Sequence, residues 1–181
     1  MTYLTQLGVI TFLQFVSAAT GIAALIVVLN AMKENAKEGL GNFFSIFLKS
    51  ITRILLPLSI VVAVLLTFSG TTTSFDGKDT ITNLQGDEVQ VSRGPAAGMV
   101  AIKHIGTNGG GWFGANSAHP LENPNYFSNM VEMISQVILP IAFIFALGYY
   151  LKRRRMSYVI FGVMTIGMFA FLIPTIIAES H

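Results

Sequence analysis

GTNGGGWFGANSAHPLENP, residues 106–124, constrains every other part of the chain. Four of the chain's 17 glycines fall between Gly109 and Gly114, and the flanking segments are strongly apolar. The run Thr107-Asn108-Gly109-Gly110-Gly111 has no apolar face to bury and neither a helical nor a strand period. It offers closely spaced peptide carbonyls on a backbone that glycine leaves free to turn. Within a bilayer, irregular backbone persists only where protein buries it or where it lines a watery path. Carbonyls lining such a path replace an ion's hydration shell. The segment is therefore expected to form part of a cation pathway, read here as a potassium pathway.

Composition agrees. Of 181 residues, 52% are apolar and 11% charged, and the mean hydropathy is +0.64. The apolar residues come in bilayer-length blocks of about 20. A net charge of +2 is too small for a nucleic-acid surface, and the absence of Cys removes disulfides, thiolate metal sites and a cysteine nucleophile. The first apolar run has no basic leader and is of spanning length, so no cleavable signal peptide is expected.

Immediately upstream, Pro95–Ile105 is short and moderately apolar, and Gly94-Pro95 is a helix-start signal. A helix of that length extends only ~15 Å, half a bilayer. It is expected to be a re-entrant half-helix whose negative carboxyl end meets the glycine run. Lys103 and His104, near that end, are expected to face outward or cap it rather than touch an ion. Asn116, Ser117, His119 and Asn123 are expected to tie down the loop behind the filter. Before the half-helix, Ser69–Arg93 is polar, and a small exposed hairpin is expected around Gln85-Gly86-Asp87.

Further outward lie four spans. The first covers about Leu7–Met32 and carries Gln14, Ser17, Thr20 and Gly21, groups suited to helix packing. Gln14 could serve an ion path, but an interhelical hydrogen bond is the favoured reading. After a polar connector, Lys33–Leu40, the second span runs from about Phe44 to Phe68, with Pro57 expected to kink it. Its Lys49 and Arg53 share one face and are expected to snorkel to the headgroups, with gating or partner contact the alternative. The third span, about Tyr126–Leu151, stops at Lys152-Arg153-Arg154-Arg155, and the fourth covers Tyr158–Ala178. The positive-inside rule places the basic turn and the Lys33–Arg53 region in the cytoplasm, and Ser69–Asn125 and both termini outside.

Other motifs carry less. Gly109-Gly110-Gly111-Trp112-Phe113-Gly114 matches GxGxxG, but no strand precedes it and no crossover unit surrounds it. No phosphate loop is present, and Asp76-Gly77-Lys78-Asp79 reads as a turn. His104, His119 and Glu122 lack metal-ligand spacing.

The same glycine segment resembles the second filter of the potassium-binding, channel-like A-subunit family of the bacterial Kdp potassium-transporting ATPase. Gly94-Pro95, Leu139-Pro140, Phe15–Gly21 (FVSAATG) and Arg53-Ile54 extend the similarity along the chain. Family loops often carry Phe at the Trp112 position and Asn at the Gly114 position, a departure behind the filter that bears on loop packing. The resemblance implies an all-α integral membrane fold, here four transmembrane helices plus one re-entrant pore half-helix and filter loop. Four copies of such a unit surround one pore in the family. It implies Thr107, Asn108, Gly109 and Gly110 as the potassium filter, with Gly106 and Gly111 flanking. It also implies potassium as the transported ion, no organic cofactor, and no catalytic residue in this chain.

The implied partners are a P-type ATPase catalytic subunit, small accessory subunits and the lipid bilayer of a bacterial inner membrane, with the filter facing outside. Nucleic acid is not among them. Residues 1–43 would close a preceding repeat and add a cytoplasmic connector. Residues 44–151 would form one complete repeat, and 152–181 the basic turn and opening helix of the next. With one filter copy where the family has four, the chain is expected to be a fragment, with Met1 an internal methionine. The competing readings are a small channel that assembles as a homotetramer and, more remotely, a membrane scaffold that conducts nothing.

Overall fold

The computed structural model describes residues 2–33 and 40–180. The expected connector at Lys33–Leu40 therefore lies, apart from its two end residues, outside the described residues. Four helices are long and apolar enough to cross a bilayer: Thr5–Lys33, Phe43–Phe68, Tyr126–Tyr150 and Arg154–Glu179. The first consists of a π-helical turn, Thr5–Ile10, leading into α1 (Thr11–Lys33). The second consists of α2 (Phe43–Ser50), a π segment (Ile51–Leu55) and α3 (Leu56–Phe68). A fifth, short helix, α4 (Ala97–Ile105), precedes the glycine segment, and α5 (Tyr126–Tyr150) and α6 (Arg154–Glu179) follow it.

Each boundary has a local cause. Asn42 caps α2 by accepting the Ser45 N–H at 3.0 Å. Pro57 has no N–H for the Arg53 carbonyl, and its ring crowds that group. The expected kink takes the form of a widened turn, in which the Leu56 N–H reaches back five residues to Ile51. Asn125 and Ser128 cap α5 reciprocally, each side-chain oxygen accepting the other's backbone N–H, at 2.9 and 3.1 Å. The expected hairpin is present: β1 (Lys78–Thr82) pairs antiparallel with β2 (Glu88–Ser92). The Asn83 side chain closes its turn by accepting from the Gln85 and Asp87 N–H groups. A second, minimal pair joins β3 (Gly110–Gly111) to β4 (Gly114–Ala115).

The chain divides into two compact units, with divisions within α1, just before α2 and within α5. The first takes Met1–Ile26 and Asn42–Val137. At its centre is α4, every residue of which except Gly98 is buried. Ala97, Met99, Val100 and Ala101 pack with Leu66 of α3, Val131 of α5 and Trp112, flanked by Leu7 and Ile10. A nine-residue helix is about 13 Å long, too short to span. Helices that do span surround it on all of these sides.

The second unit takes Val27–Gly41 and Ile138–His181. Its turn from α5 to α6 is tight because Gly148 lets Ser157 lie where a Cβ would be, 1.8 Å from the Ser157 hydroxyl. Tyr150 donates to Asn30 Oδ1 at 2.6 Å, and the Lys33 ammonium sits 4.5 Å from the centre of the Tyr150 ring. Lys152, Arg153, Arg154 and Arg155 are exposed around this turn, and most of α6 is exposed. Lys49 and Arg53 are exposed on α2 and its π segment, as snorkelling side chains would be.

Candidate functional site

The backbone leaves α4 at Gly106 and turns sharply. Thr107 adopts φ +52° and Gly109 φ +88°, while Thr107 and Asn108 donate their N–H groups to the carbonyls of His104 and Lys103. Those two bonds satisfy carbonyls that the end of a helix would otherwise leave open. The chain then runs out through β3, turns at Trp112-Phe113 and returns through β4, with the Asn116 N–H donating to the Gly109 carbonyl at 2.8 Å. Thr107, Asn108, Gly109 and Gly110, with Gly106 and Gly111 beside them, thus form one continuous turn at the carboxyl end of a buried helix.

Their carbonyls are not equivalent. Gly109 accepts from Asn116, and Gly110 accepts from Gln14 Nε2 at 2.8 Å. Among the described residues, the carbonyls of Gly106, Thr107 and Asn108 accept no hydrogen bond. Thr107 and Gly109 are exposed, whereas Gly106 and Asn108 are half-buried.

Gln14 departs from its favoured reading. Its amide reaches the glycine turn rather than another spanning helix, because the turn's carbonyl is the open acceptor beside it. The same face of α1 supplies Ser17, whose hydroxyl accepts from Asn108 Nδ2 at 2.6 Å. About two turns before Gln14, Gln6 donates to the Trp112 carbonyl at 3.4 Å. The amino-terminal helix therefore grips the turn at three points. Sequence reasoning missed Gln6, although polar residues at 6, 14 and 17 of an apolar span are a visible signal.

Lys103 and His104 correct the expectation more sharply. Neither faces outward: Lys103 is 1% exposed and His104 3%. Helix spacing in a helix buried on all sides leaves them no outward face. Each instead finds a partner inside the protein. The Lys103 ammonium is paired with the Glu122 carboxylate, itself 0% exposed, and donates to the Ser117 hydroxyl. His104 Nε2 lies 2.9 Å from the same hydroxyl and 3.2 Å from Glu132 Oε2 on α5. Both basic groups also lie at the negative end of the α4 dipole.

The loop behind the turn is held as expected. Ser117 is shared by Lys103 and His104, His119 stacks on Phe113 with ring centres 4.4 Å apart, and Asn123 accepts from the Ser128 hydroxyl at 2.6 Å. Asn116 contributes through its backbone alone, as donor to Gly109. From Ser69–Arg93, Thr71 and Thr72 bond the carbonyls of Glu122 and Leu121, and the Thr72 carbonyl accepts from Ala96 at the start of α4. The three residues weighed as metal ligands are dispersed among these roles. Trp112, the departure noted above, is 7% exposed and packs against Tyr3 and into the space that Gly94 leaves. Gly114 has φ +136°, a conformation that strains any side chain.

The fold and this site define a multi-pass α-helical membrane protein in which spanning helices enclose a short buried helix and a glycine turn. The comparisons with known proteins give the family. The family described as Potassium-transporting ATPase A subunit matches residues 1–181, and the chain belongs to it. It is 65% identical over all 181 residues to a potassium-transporting ATPase potassium-binding subunit of Flavobacterium psychrophilum. It is 51% identical over the same length to the subunit so named in Bacteroides thetaiotaomicron. With the Alicyclobacillus acidocaldarius subunit of that name it shares 42% identity over 160 residues, 88% of this chain. The chain spans 31% of the length of the first two relatives and 28% of the third.

Proposed function

We propose that this chain supplies one potassium-coordinating segment of the membrane subunit of an ATP-driven potassium uptake complex. The relatives' names carry potassium binding, and the observation that supports assigning it to this turn is the set of open carbonyls at Gly106, Thr107 and Asn108. Three consecutive acceptors without internal partners, beyond the negative end of a short helix, suit a cation that must exchange water for fixed oxygens. Gly109 and Gly110 complete the filter with carbonyls whose directions are set by Asn116 and Gln14. In this reading α4 is a re-entrant half-helix that enters the bilayer from the external side, and Gly111 is the hinge into the hairpin. Residues 44–151 form one repeat, flanked by the end of one (1–43) and the beginning of the next (152–181). ATP is hydrolysed by a separate P-type catalytic subunit with small accessory subunits beside it, in a bacterial inner membrane.

Two glycines make a matched test. Gly109 and Gly77 have φ +88° and +89°, and a Cβ at either would meet nothing within 4 Å. Alanine at either position carries about 1–3 kcal/mol of backbone strain. Only Gly109→Ala relieves that strain by turning a filter carbonyl. In the full-length subunit within its complex, Gly109→Ala is expected to raise the potassium concentration for half-maximal ATPase activity roughly 5–30-fold, the equivalent of 1–2 kcal/mol. Gly77→Ala should leave it unchanged. Equal potassium profiles in the two variants would remove the filter assignment.

A further inference from the structure

The buried Lys103–Glu122 pair lies outside residues 106–111, yet it is wired to the turn at both ends. The Lys103 carbonyl accepts the Asn108 N–H at 2.9 Å, within the turn itself. Its side-chain stem runs under the hairpin so closely that a Cβ on Gly111 would lie 3.0 Å from Lys103 Cδ. Its ammonium then reaches Ser117 and Glu122 in the loop beyond β4. The second oxygen of Glu122 accepts the Phe113 N–H at 2.9 Å, at the tip of the hairpin. One carboxylate thus ties the end of α4 to both the far end of the loop and its tip.

We propose that Lys103 and Glu122 are positioning residues that set ion discrimination by fixing the height of residues 106–111 over the end of α4. This rests on the filter reading given above. A surface ion pair contributes little, but a fully buried one is different. Its partners leave water only where the geometry holds them, and removing one strands the other's charge. The pair is neutral as a unit, so it fixes the backbone without adding net charge beside a cation path. His104, held between Ser117 and Glu132, ties the same hydroxyl to α5. The brace is therefore anchored to a spanning helix and not only to the loop.

The test uses the full-length subunit in its complex, with potassium- and rubidium-stimulated ATPase activity as the readout. Glu122→Gln keeps the size of the side chain and an acceptor for Phe113 but removes the charge that holds Lys103. The expected result is a tenfold or greater rise in half-saturating potassium, a potassium-to-rubidium ratio moved toward one, and a maximal rate within about threefold of wild type. A merely structural role would lower the amount of active complex and leave both ion constants alone, and that result overturns the proposal. If the Glu122→Gln complex fails to assemble, the double variant Lys103→Gln with Glu122→Gln decides, since it restores neutrality while leaving the brace weakened. A shifted ratio in the double variant supports the proposal. A wild-type ratio, or a second failure to assemble, assigns the pair to folding alone and overturns it. Gly109→Ala separates the two readings. If it shifts the potassium profile while the Glu122 variants do not, the positioning role fails alone. If none of them does, the filter reading fails with it.

Discussion

Replacing Gly94 with alanine is expected to damage the protein by a route that a single second substitution largely relieves. A Cβ at Gly94 would lie 2.1 Å from Trp112 Cζ2, 2.9 Å from Cη2 and 2.5 Å from Tyr3 Cε1. None of these atoms is the free end of a flexible chain. The indole is 7% exposed, and its ring centre is 5.6 Å from that of Tyr3. The tyrosine is itself held by a hydrogen bond from its hydroxyl to the Gly77 carbonyl. Ordinary contact requires the indole to retreat by more than an ångström, and overpacking of this kind costs about 1–3 kcal/mol. Trp112→Phe removes the two crowded atoms, and alone it loses about 2 kcal/mol of buried apolar surface. If the clash is the mechanism, the double variant should lose less than the two singles together, with only the Tyr3 contact left to relieve, giving a coupling of about 1–3 kcal/mol between the sites. The assay is the midpoint of thermal inactivation of the purified complex for wild type, both singles and the double. Additive losses would show that Gly94 is needed for its backbone rather than for the room it leaves, and the packing argument would fall.

Two further outcomes follow from particular contacts. Gln14→Leu removes the donor to the Gly110 carbonyl without adding charge. It should weaken potassium selectivity over rubidium in the full-length complex by several-fold, since a hydrogen bond of this kind contributes about 1 kcal/mol; an unchanged ratio would show that the Gly110 carbonyl needs no tether. For orientation, a cysteine replacing Asp87 in the hairpin turn should react with an impermeant thiol reagent on intact cells, and one replacing Arg154 in the basic turn should not. Labelling at Arg154 alone would invert the topology drawn from the positive-inside rule.

The amino-acid sequence by itself determined the spans, the short helix and the turn. Each rests on a local property: unbroken apolar length, Gly94-Pro95 as a start signal, Pro57 as the cause of a widened turn, and glycines where a positive φ occurs at Gly109. The exposed hairpin was legible for the same reason, since Asn83 and Gly86 specify its turn within a few residues. Tertiary structure decided the partners. That Lys103 faces inward follows only once α3, α5 and the amino-terminal helix surround α4, and only then does a lysine need a carboxylate 19 residues away. The signal existed in principle, because a lone Lys in a buried half-helix and a lone Glu in a glycine loop require one another. It could not be used before the burial was known. The same holds for Gln14 and Ser17, separated from Gly110 and Asn108 by more than ninety residues. Chain connectivity does not record which carbonyls those side chains reach. Packing therefore decided which oxygens of the glycine run are tied down and which stay open.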